Sequence, residues 1–248
     1  MALPVFLRKI VHGVDSPPCE LPGGKHGDVI FNEQFKALRA KFEYKLDMMK
    51  LKVVAVTSAI AGEGKTTTCI NLATNLVAAG RRKVLLIDLD LRKSDLARTM
   101  NISPLPGMSE YLQGTVSVKD IMRNGGVPGL YVIPSGMKAT VAAELLTGDR
   151  FRAFLKDISG HFDVVLLDTP PIVPVADTLG LQDQVDGFVF IYRIGLTPHQ
   201  LFANAIEDIG ANKVVGVVLN GVEPKRQKYY ERYYGKYYKK ADGEEAPV

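Results

Sequence analysis

The sequence has 248 residues, of which 46% are hydrophobic and 23% are charged, and this balance is typical of a soluble globular domain. It contains no apolar run of membrane-spanning length, its opening MALPVFLRKIVHG lacks a signal cleavage site, and its two cysteines and four histidines show no disulfide or metal-site spacing. These features argue against a membrane-embedded, secreted or zinc-dependent protein and predict a cytoplasmic one.

The chain begins with residues 1–29, where prolines and glycines predict an irregular arm. Apolar residues at helical spacing then predict a helix that is capped by Asn32 and ends near Met49. Beyond this helix, apolar runs alternate with helical stretches. Strands are predicted at 52–57, 83–88, 130–134, 163–168, 187–192 and 213–219, and helices at 65–79, 149–159 and 198–209.

Several predicted strands are nearly continuous runs of valine, isoleucine and leucine, which is typical of strands that are covered on both faces. The alternation of strands and helices therefore predicts a doubly wound α/β domain over residues 30–222, with helices on both faces of a mostly parallel sheet. Ligands of such folds bind beyond the carboxyl ends of the strands. Residues 223–248 lose this periodicity and are predicted to form a flexible, basic, tyrosine-rich tail.

A candidate phosphate-binding loop, SAIAGEGKTTT, follows the first predicted strand. Its glycines allow backbone N–H groups to turn toward phosphates, and the next helix adds the positive end of its dipole. Lys65 is predicted to reach the β- and γ-phosphates, and the Thr66 hydroxyl to bind Mg²⁺. Position 59 carries alanine where the pattern G-x-x-x-x-G-K-[ST] has its first glycine, so the interpretation depends on the flanking strand and helix. The alternative is a glycine-rich turn in an ordinary βα unit.

Two more predicted strands end in carboxylates. The segment VLLIDLDLR places Asp88 at a strand end, and Asp90 and Arg92 would point to the same side if the extended conformation continued. The segment VVLLDTPP places Asp168 at the end of another strand. Such a carboxylate is either a polar residue leaving the core or a Mg²⁺ ligand, and two of them beside a GKT loop favour a magnesium site. The predicted ligands are Thr66, Asp88 and Asp168.

These motifs resemble those of the bacterial tyrosine kinases of capsule and exopolysaccharide synthesis. Residues 85–92, LLIDLDLR, are similar to the Walker A′ motif of that family, and residues 164–171, VVLLDTPP, are similar to its Walker B motif. GEGKT is similar to its Walker A loop, although Ala61 stands where the family usually has proline. The resemblance covers Glu33 to Tyr238 and implies a P-loop NTPase fold of the ParA/MinD-like branch, with Mg·ATP bound and protein-tyrosine kinase activity.

The resemblance also implies roles for individual residues. The ATP-binding set is Gly62, Glu63, Gly64, Lys65, Thr66, Thr67 and Asn220, where Asn220 either contacts the adenine or is a strand-end turn residue. The catalytic set is Lys65, Asp88, Asp90, Arg92 and Asp168. Because a tyrosine hydroxyl has a pKa near 10, Asp88 or Asp90 is expected to assist its deprotonation, and the sequence does not decide between them. Arg92 is expected to position these carboxylates or to meet the acceptor, and its alternative is a plain ion pair.

Six of the ten tyrosines form three doublets near the end of the sequence: Tyr229, Tyr230, Tyr233, Tyr234, Tyr237 and Tyr238. Seven basic residues and one acidic residue lie between Lys225 and Lys240, so this segment carries +6 and the remainder −2 of the net +4. The resemblance implies that the doublets are the autophosphorylation sites. The alternatives are a segment that binds single-stranded nucleic acid, an adhesive assembly segment and an apolar helix docked on the body. Since the body is not basic, no nucleic-acid partner is expected.

The resemblance implies several partners. A ring-like homo-oligomer would form through the family motif E-x-x-R-x-x-R, here Glu33, Lys36 and Arg39. Lysine at the middle position cannot form the bidentate fork of arginine, and a solvated charged stripe is the alternative. A membrane polysaccharide co-polymerase (chain-length regulator) is expected as activator and a tyrosine phosphatase as partner, which would place the chain in the cytoplasm at the inner face of the plasma membrane.

Two other functions remain open at this point. A partitioning or cell-division ATPase would have the same fold, but such proteins carry a signature lysine at the position of Ile60. A nucleotide-dependent scaffold of a polysaccharide export complex would bind ATP without meaningful kinase activity. The tyrosine doublets favour the kinase over both.

Overall fold

The computed structural model describes residues 29–80 and 82–222. Within them, seven strands form one sheet: β1 (Val53–Ser58), β2 (Val84–Asp88), β3 (Arg123–Asn124), β4 (Leu130–Ile133), β5 (Val164–Asp168), β6 (Gly187–Arg193) and β7 (Val214–Asn220). The α-helices are α1 (Val29–Met49), α2 (Lys65–Ala78), α3 (Leu96–Thr99), α4 (Met108–Leu112), α5 (Val118–Ile121), α6 (Ala142–Thr147), α7 (Asp149–Ile158) and α8 (His199–Ile209). Two 3₁₀ helices span Ala176–Leu181 and Ala211–Lys213.

The strand order is β3-β4-β2-β5-β1-β6-β7, and every neighbouring pair is parallel except β3 with β4. This order confirms the predicted doubly wound, mostly parallel sheet. The register places Asp88 of β2 directly beside Asp168 of β5. The two strand-end carboxylates that the sequence singles out are therefore neighbours at the carboxyl edge of the sheet.

Two apolar clusters cover the two faces of the sheet. On one face, β-strand side chains pack against α1 and α2, with Phe42, Leu46 and Leu76 among the buried residues. On the other face they pack against α7 and α8, where Phe151 and Phe188 are completely buried. Every residue of β1, β2 and β5 is buried, because central strands of such a sheet are covered on both sides.

The predicted strand boundaries are correct to within one residue, but the first helix begins earlier than predicted. It starts at Val29, so Asn32 lies inside α1 and is not its N-cap. The helical period extends backwards because Phe31 lies four residues before Phe35, and their ring centroids are 4.8 Å apart. The short antiparallel strand β3 was not predicted, since two residues give no periodic signal.

The three residues of the predicted assembly motif form ion pairs within α1. Lys36 Nζ lies 2.7 Å from Glu33 Oε1, and Arg39 Nε lies 3.7 Å from Glu43 Oε2. These pairs would also form in a solvated stripe, so self-assembly through this motif stays a prediction. No helix in the described part of the chain is long and apolar enough to cross a membrane.

Candidate active site

The phosphate-binding loop connects the end of β1 to the start of α2. Gly62 and Gly64 have φ values of 81° and 93°, a left-handed conformation that glycine adopts without steric cost. Lys65 is the first residue of α2 and is only 8% exposed. Its ammonium group donates to Ser58 Oγ at 3.1 Å, so the lysine lies over the loop that is predicted to hold phosphates. The N-terminus of a helix of 14 residues opens toward the same loop, and its dipole favours anions there.

The Glu63 side chain lies inside the protein, and the place of Glu63 in the ATP-binding set stays a prediction. This carboxylate is completely buried, where it accepts hydrogen bonds from Ile60 N at 2.7 Å, from Arg193 N at 3.3 Å and from the Thr197 hydroxyl. The carboxylate therefore stabilises the loop from inside the protein and does not face the predicted phosphate site. Charge-assisted bonds to backbone N–H groups are among the stronger hydrogen bonds in proteins.

The Asn220 side chain also holds this loop. Its Nδ2 donates to the Glu63 carbonyl at 2.7 Å, and its Oδ1 accepts from Gly221 N at 2.8 Å. Asn220 is the last residue of β7, and its contact with the adenine stays a prediction. Arg193 adds a further bond, from Nη1 to the Gly62 carbonyl at 2.8 Å. Thr67 is exposed on the first turn of α2.

The three predicted metal-site residues meet at the carboxyl edge. Asp168 is buried beside Asp88 and is hydrogen-bonded to the Thr66 hydroxyl. Burial raises the pKa of Asp168 to about 6, although the Thr66 hydroxyl and the Lys65 ammonium lower it in part. The Cys69 thiol lies 3.8 Å from Asp168 Oδ1. Because burial raises the pKa of this thiol well above its ordinary value, Cys69 is an inert neighbour and not a nucleophile.

Both carboxylate oxygens of Asp88 accept hydrogen bonds from nearby residues. Asp90 N donates to its Oδ1 at 3.0 Å, and the Ser94 hydroxyl donates to its Oδ2. Burial and the adjacent Asp168 raise the pKa of Asp88 well above its ordinary value. Asp90 is half-buried, and burial raises its pKa as well. Burial makes the ionised forms of these carboxylates unfavourable, and a bound cation would stabilise them.

These donors fit Mg²⁺. The described residues contain no group of three or more His, Cys, Asp and Glu side chains that could enclose a metal. Mg²⁺ does not need such a cage, since it is usually held by one or two carboxylates together with substrate phosphates and water. A hydroxyl and two carboxylates beside a phosphate-binding loop are donors of that kind. The burial of the Asp168 carboxylate beside Asp88 is the observation that carries this fit.

The structure does not confirm that Asp88, Asp90 and Arg92 point to one side of an extended strand. β2 ends at Asp88, and the following backbone turns, because Asp90 Oδ1 accepts from the backbone N–H groups of Arg92 and Lys93. The extended conformation that would have placed them on one side therefore does not continue past Asp88.

The turn brings Arg92 to a residue that the sequence analysis missed. Its Nε and Nη2 donate to Asp177 Oδ2 and Oδ1 at 2.8 and 3.1 Å. Ser58 and Ser94, which contact Lys65 and Asp88, were not predicted as site residues either. Their only signal was proximity in the sequence to a motif, whereas Asp177 lies 85 residues from Arg92 and had none.

We expect Gly64→Ala to weaken Mg·ADP binding by about 5- to 100-fold. An added Cβ would lie 2.4 Å from Asn220 Nδ2, at a φ of 93° that side chains rarely adopt. The loop must therefore shift or lose its bond to Asn220, at a cost of about 1–3 kcal/mol. Titration with a fluorescent ADP analogue measures the effect. Gly80→Ala is the matched control, since its φ is also positive but no atom lies within 4 Å of the added Cβ. Equal affinity for Gly64→Ala and wild type would contradict the expectation.

Comparison with known proteins assigns the chain to a family. The AAA domain family matches residues 51–185. Tyrosine-protein kinase CpsD of Streptococcus agalactiae is 34% identical over 200 residues, which cover 79% of this chain and 86% of CpsD. The kinase domain of the Escherichia coli tyrosine kinase Etk superposes with a TM-score of 0.72 at 26% identity, covering 90% of this chain and 95% of that domain.

A more distant structure agrees on the fold alone. The septum site-determining protein MinD of Pyrococcus horikoshii, solved with Mg-ADP, superposes with a TM-score of 0.56 at 18% identity and covers 68% of each chain. The CpsD match and the Etk domain go further, because they are tyrosine kinases and align over most of the chain. The chain therefore belongs to the P-loop bacterial tyrosine kinases and is a protein-tyrosine kinase.

Proposed function

We propose that this kinase uses Mg·ATP to phosphorylate the tyrosine doublets of its own C-terminal tail, and that this reaction regulates capsule or exopolysaccharide synthesis. The observation that carries the proposal is the placement of Lys65, Asp88 and Asp168 at one edge of the sheet, in a chain with six tyrosines in its tail. The tail lies outside the described residues. The similarity to CpsD supports the link to a capsule.

Phosphoryl transfer asks a protein for positioning and charge stabilisation more than for covalent chemistry. Lys65 would bind the β- and γ-phosphates and offset the charge that develops on them. Thr66 and Asp168 would hold the metal, with Asp88 as a further ligand directly or through water. Mg²⁺, when bound, supplies the positive charge that neutralises the phosphate oxygens during transfer.

A carboxylate at this edge would accept the proton of the acceptor tyrosine or orient its hydroxyl. Proton transfer is more favourable when the pKa of the base is closer to that of the tyrosine, and burial raises the pKa of both Asp88 and Asp90. Asp88 is almost fully buried and bonded to Ser94, whereas Asp90 is half-buried. Asp90 is therefore easier for an incoming tyrosine to reach, and we favour it as the group that meets the hydroxyl.

Charge gives the tail a second property. The unmodified segment between Lys225 and Lys240 carries +6, which suits an edge with several carboxylates. Each phosphotyrosine adds about −1.5 to −2, so six would add roughly −9 to −12 and reverse the sign of the tail. We propose that the unmodified tail docks on the edge of a neighbouring subunit in a ring, and that full phosphorylation releases it. Equal sedimentation of the modified and unmodified protein at every concentration would contradict this switch.

The remaining partners are inferred from the family. We propose a membrane polysaccharide co-polymerase as activator, a tyrosine phosphatase that reverses the reaction, and a cytoplasmic location at the inner face of the plasma membrane. The ring would form through α1, where Glu33 and Arg39 are both partly exposed. Co-sedimentation of the kinase with vesicles that contain the co-polymerase would test the location.

The autokinase is tested by mass spectrometry of the intact protein after incubation with Mg·ATP. We expect up to six added phosphates, and peptide mapping should place them between Tyr229 and Tyr238. A variant in which phenylalanine replaces all six tail tyrosines should gain none of them while retaining ATP binding. The matched control replaces Tyr44, Tyr111, Tyr131 and Tyr192, the tyrosines of the described body, one at a time; each should leave tail phosphorylation present.

Three outcomes would change the proposal. Steady ATP hydrolysis without phosphate on the tail would favour an ATPase switch of the MinD type. ATP binding without either activity, even with the co-polymerase present, would favour a nucleotide-dependent scaffold. Phosphate on tyrosines outside the tail would keep the kinase and remove the tail as its substrate.

A further inference from the structure

A buried carboxylate outside the recognised motifs holds the arginine of the Walker A′ motif. The Asp177 side chain is 4% exposed, whereas that of Arg92 is 45% exposed. The two form a bidentate pair, with distances of 2.8 Å from Nε to Oδ2 and 3.1 Å from Nη2 to Oδ1. A bidentate fork fixes the plane of the guanidinium as well as its position. Asp177 therefore determines where an exposed cation of the catalytic edge lies.

Hydrogen bonds of neighbouring residues hold the segment that carries Asp177. Asp177 lies in the 3₁₀ helix Ala176–Leu181, and the hydroxyl of the next residue, Thr178, donates to the Pro170 carbonyl at 2.8 Å. Thr57 of β1 donates to the same carbonyl at 3.1 Å. Pro170 follows Asp168 by two residues. These bonds connect Arg92 to the ends of β1 and β5, so the Walker A′ and Walker B segments are held at a fixed distance.

The fork leaves part of Arg92 available. Asp177 takes Nε and Nη2, and Nη1 makes no hydrogen bond to any residue in the described ranges 29–80 and 82–222. Arg92 also lies close enough to Glu144 and Asp90 for their charges to interact. A guanidinium that is held on one side, and exposed on the other beside the favoured acceptor carboxylate, is suited to meet an anionic or hydroxyl group that enters from solvent.

We infer that Asp177 is a positioning residue for phosphoryl transfer, which orients Arg92 so that its free N–H groups meet the acceptor tyrosine or the transferred phosphoryl group. This inference rests on the proposed autokinase function. A purely structural ion pair would instead connect two loops and affect stability alone. The two interpretations differ in what Asp177→Asn changes, because asparagine keeps the size of the side chain but cannot accept both arms of the fork.

The test measures tail phosphorylation and Mg·ADP affinity in wild type, Asp177→Asn, Arg92→Lys and the double variant. We expect Asp177→Asn to lower kcat about 10- to 100-fold, as removal of an orienting partner does at other sites. Mg·ADP affinity should change less than twofold, since Asp177 lies outside the phosphate-binding loop. Arg92→Lys should lose a similar factor, and the double variant should lose no more than either single one, because both act through one interaction. Asp177→Glu, which keeps the charge, should recover part of the rate.

The control is Asp186→Asn. Asp186 accepts from Lys52 N and Val53 N at 2.6 and 2.8 Å at the opposite edge of the sheet, so its loss should lower the Tm and leave kcat unchanged. An Asp177→Asn variant with a lower Tm and wild-type kcat would overturn the inference, as would single effects that multiply in the double variant. A wild-type chain that transfers no phosphate to its tail would overturn the proposed function as well. Activity in wild type with no change in Asp177→Asn would overturn this inference alone.

Discussion

Replacement of Lys65 by alanine is expected to lower the rate of tail phosphorylation about a thousandfold, which is the usual loss when a main electrostatic contact to a transferred group is removed. Lys65 is 8% exposed and its ammonium lies 3.1 Å from Ser58 Oγ, above the loop that would hold the phosphates. Nothing else in this loop carries a positive charge. Initial rates of phosphotyrosine formation at saturating Mg·ATP measure the loss.

The control for this variant is Lys52→Ala. Lys52 precedes β1 and donates to the Ser159 carbonyl at 3.0 Å, at the amino edge of the sheet and away from the phosphate-binding loop. Its replacement should change the rate less than twofold. A Lys65→Ala variant with more than a tenth of the wild-type rate would show that the loop does not hold the transferred phosphoryl group.

Much of the fold could be predicted because its central strands are buried on both faces. Continuous apolar runs mark such strands clearly, and the polar residues that end them, such as Asp88 and Asp168, mark the edge at which ligands bind. The spatial order of the strands could not be predicted in the same way. No local pattern states that β2 and β5 are neighbours, and only the register of the sheet places Asp88 beside Asp168.

The parts of the site that could not be predicted depend on tertiary contacts. The Glu63 carboxylate is buried because the backbone of Arg193 at the end of β6 and the Thr197 hydroxyl donate to it, and no local sequence pattern indicated these contacts. The chain turns after Asp88, since the Asp90 side chain accepts hydrogen bonds from the backbone of Arg92 and Lys93, and the sequence did not decide between this turn and an extended continuation. The partner of Arg92 lies on an element that the periodicity did not indicate.

Because burial raises the pKa of Asp168, replacing this residue by asparagine should increase stability at the expense of function. Asp168→Asn is expected to abolish measurable tail phosphorylation and to raise the Tm of the nucleotide-free protein. Burial raises the pKa of this carboxyl to about 6, against an ordinary value of about 3.9, so its ionised form costs up to about 3 kcal/mol at neutral pH. Asparagine is neutral and removes that cost. We expect a Tm increase of roughly 3 to 8 °C at pH 7.5, since 1 kcal/mol corresponds to about 2–4 °C for a chain of this size.

The pH dependence of this gain identifies its cause. A carboxyl group whose pKa is higher in the folded state stabilises that state while it is protonated, below about pH 4, and this contribution is lost as the pH rises through about 6. The Tm difference between Asp168→Asn and wild type should therefore be largest above pH 7 and should fall to roughly half at pH 5. Addition of Mg·ADP should reverse the order at pH 7.5, because only the wild-type carboxylate contributes to binding the metal. Asp163→Asn serves as control: its carboxylate accepts from Lys83 N at 2.6 Å at the other edge, so this variant should be less stable than wild type. A Tm gain for Asp168→Asn that is independent of pH would show that burial of the ionised carboxylate is not its source.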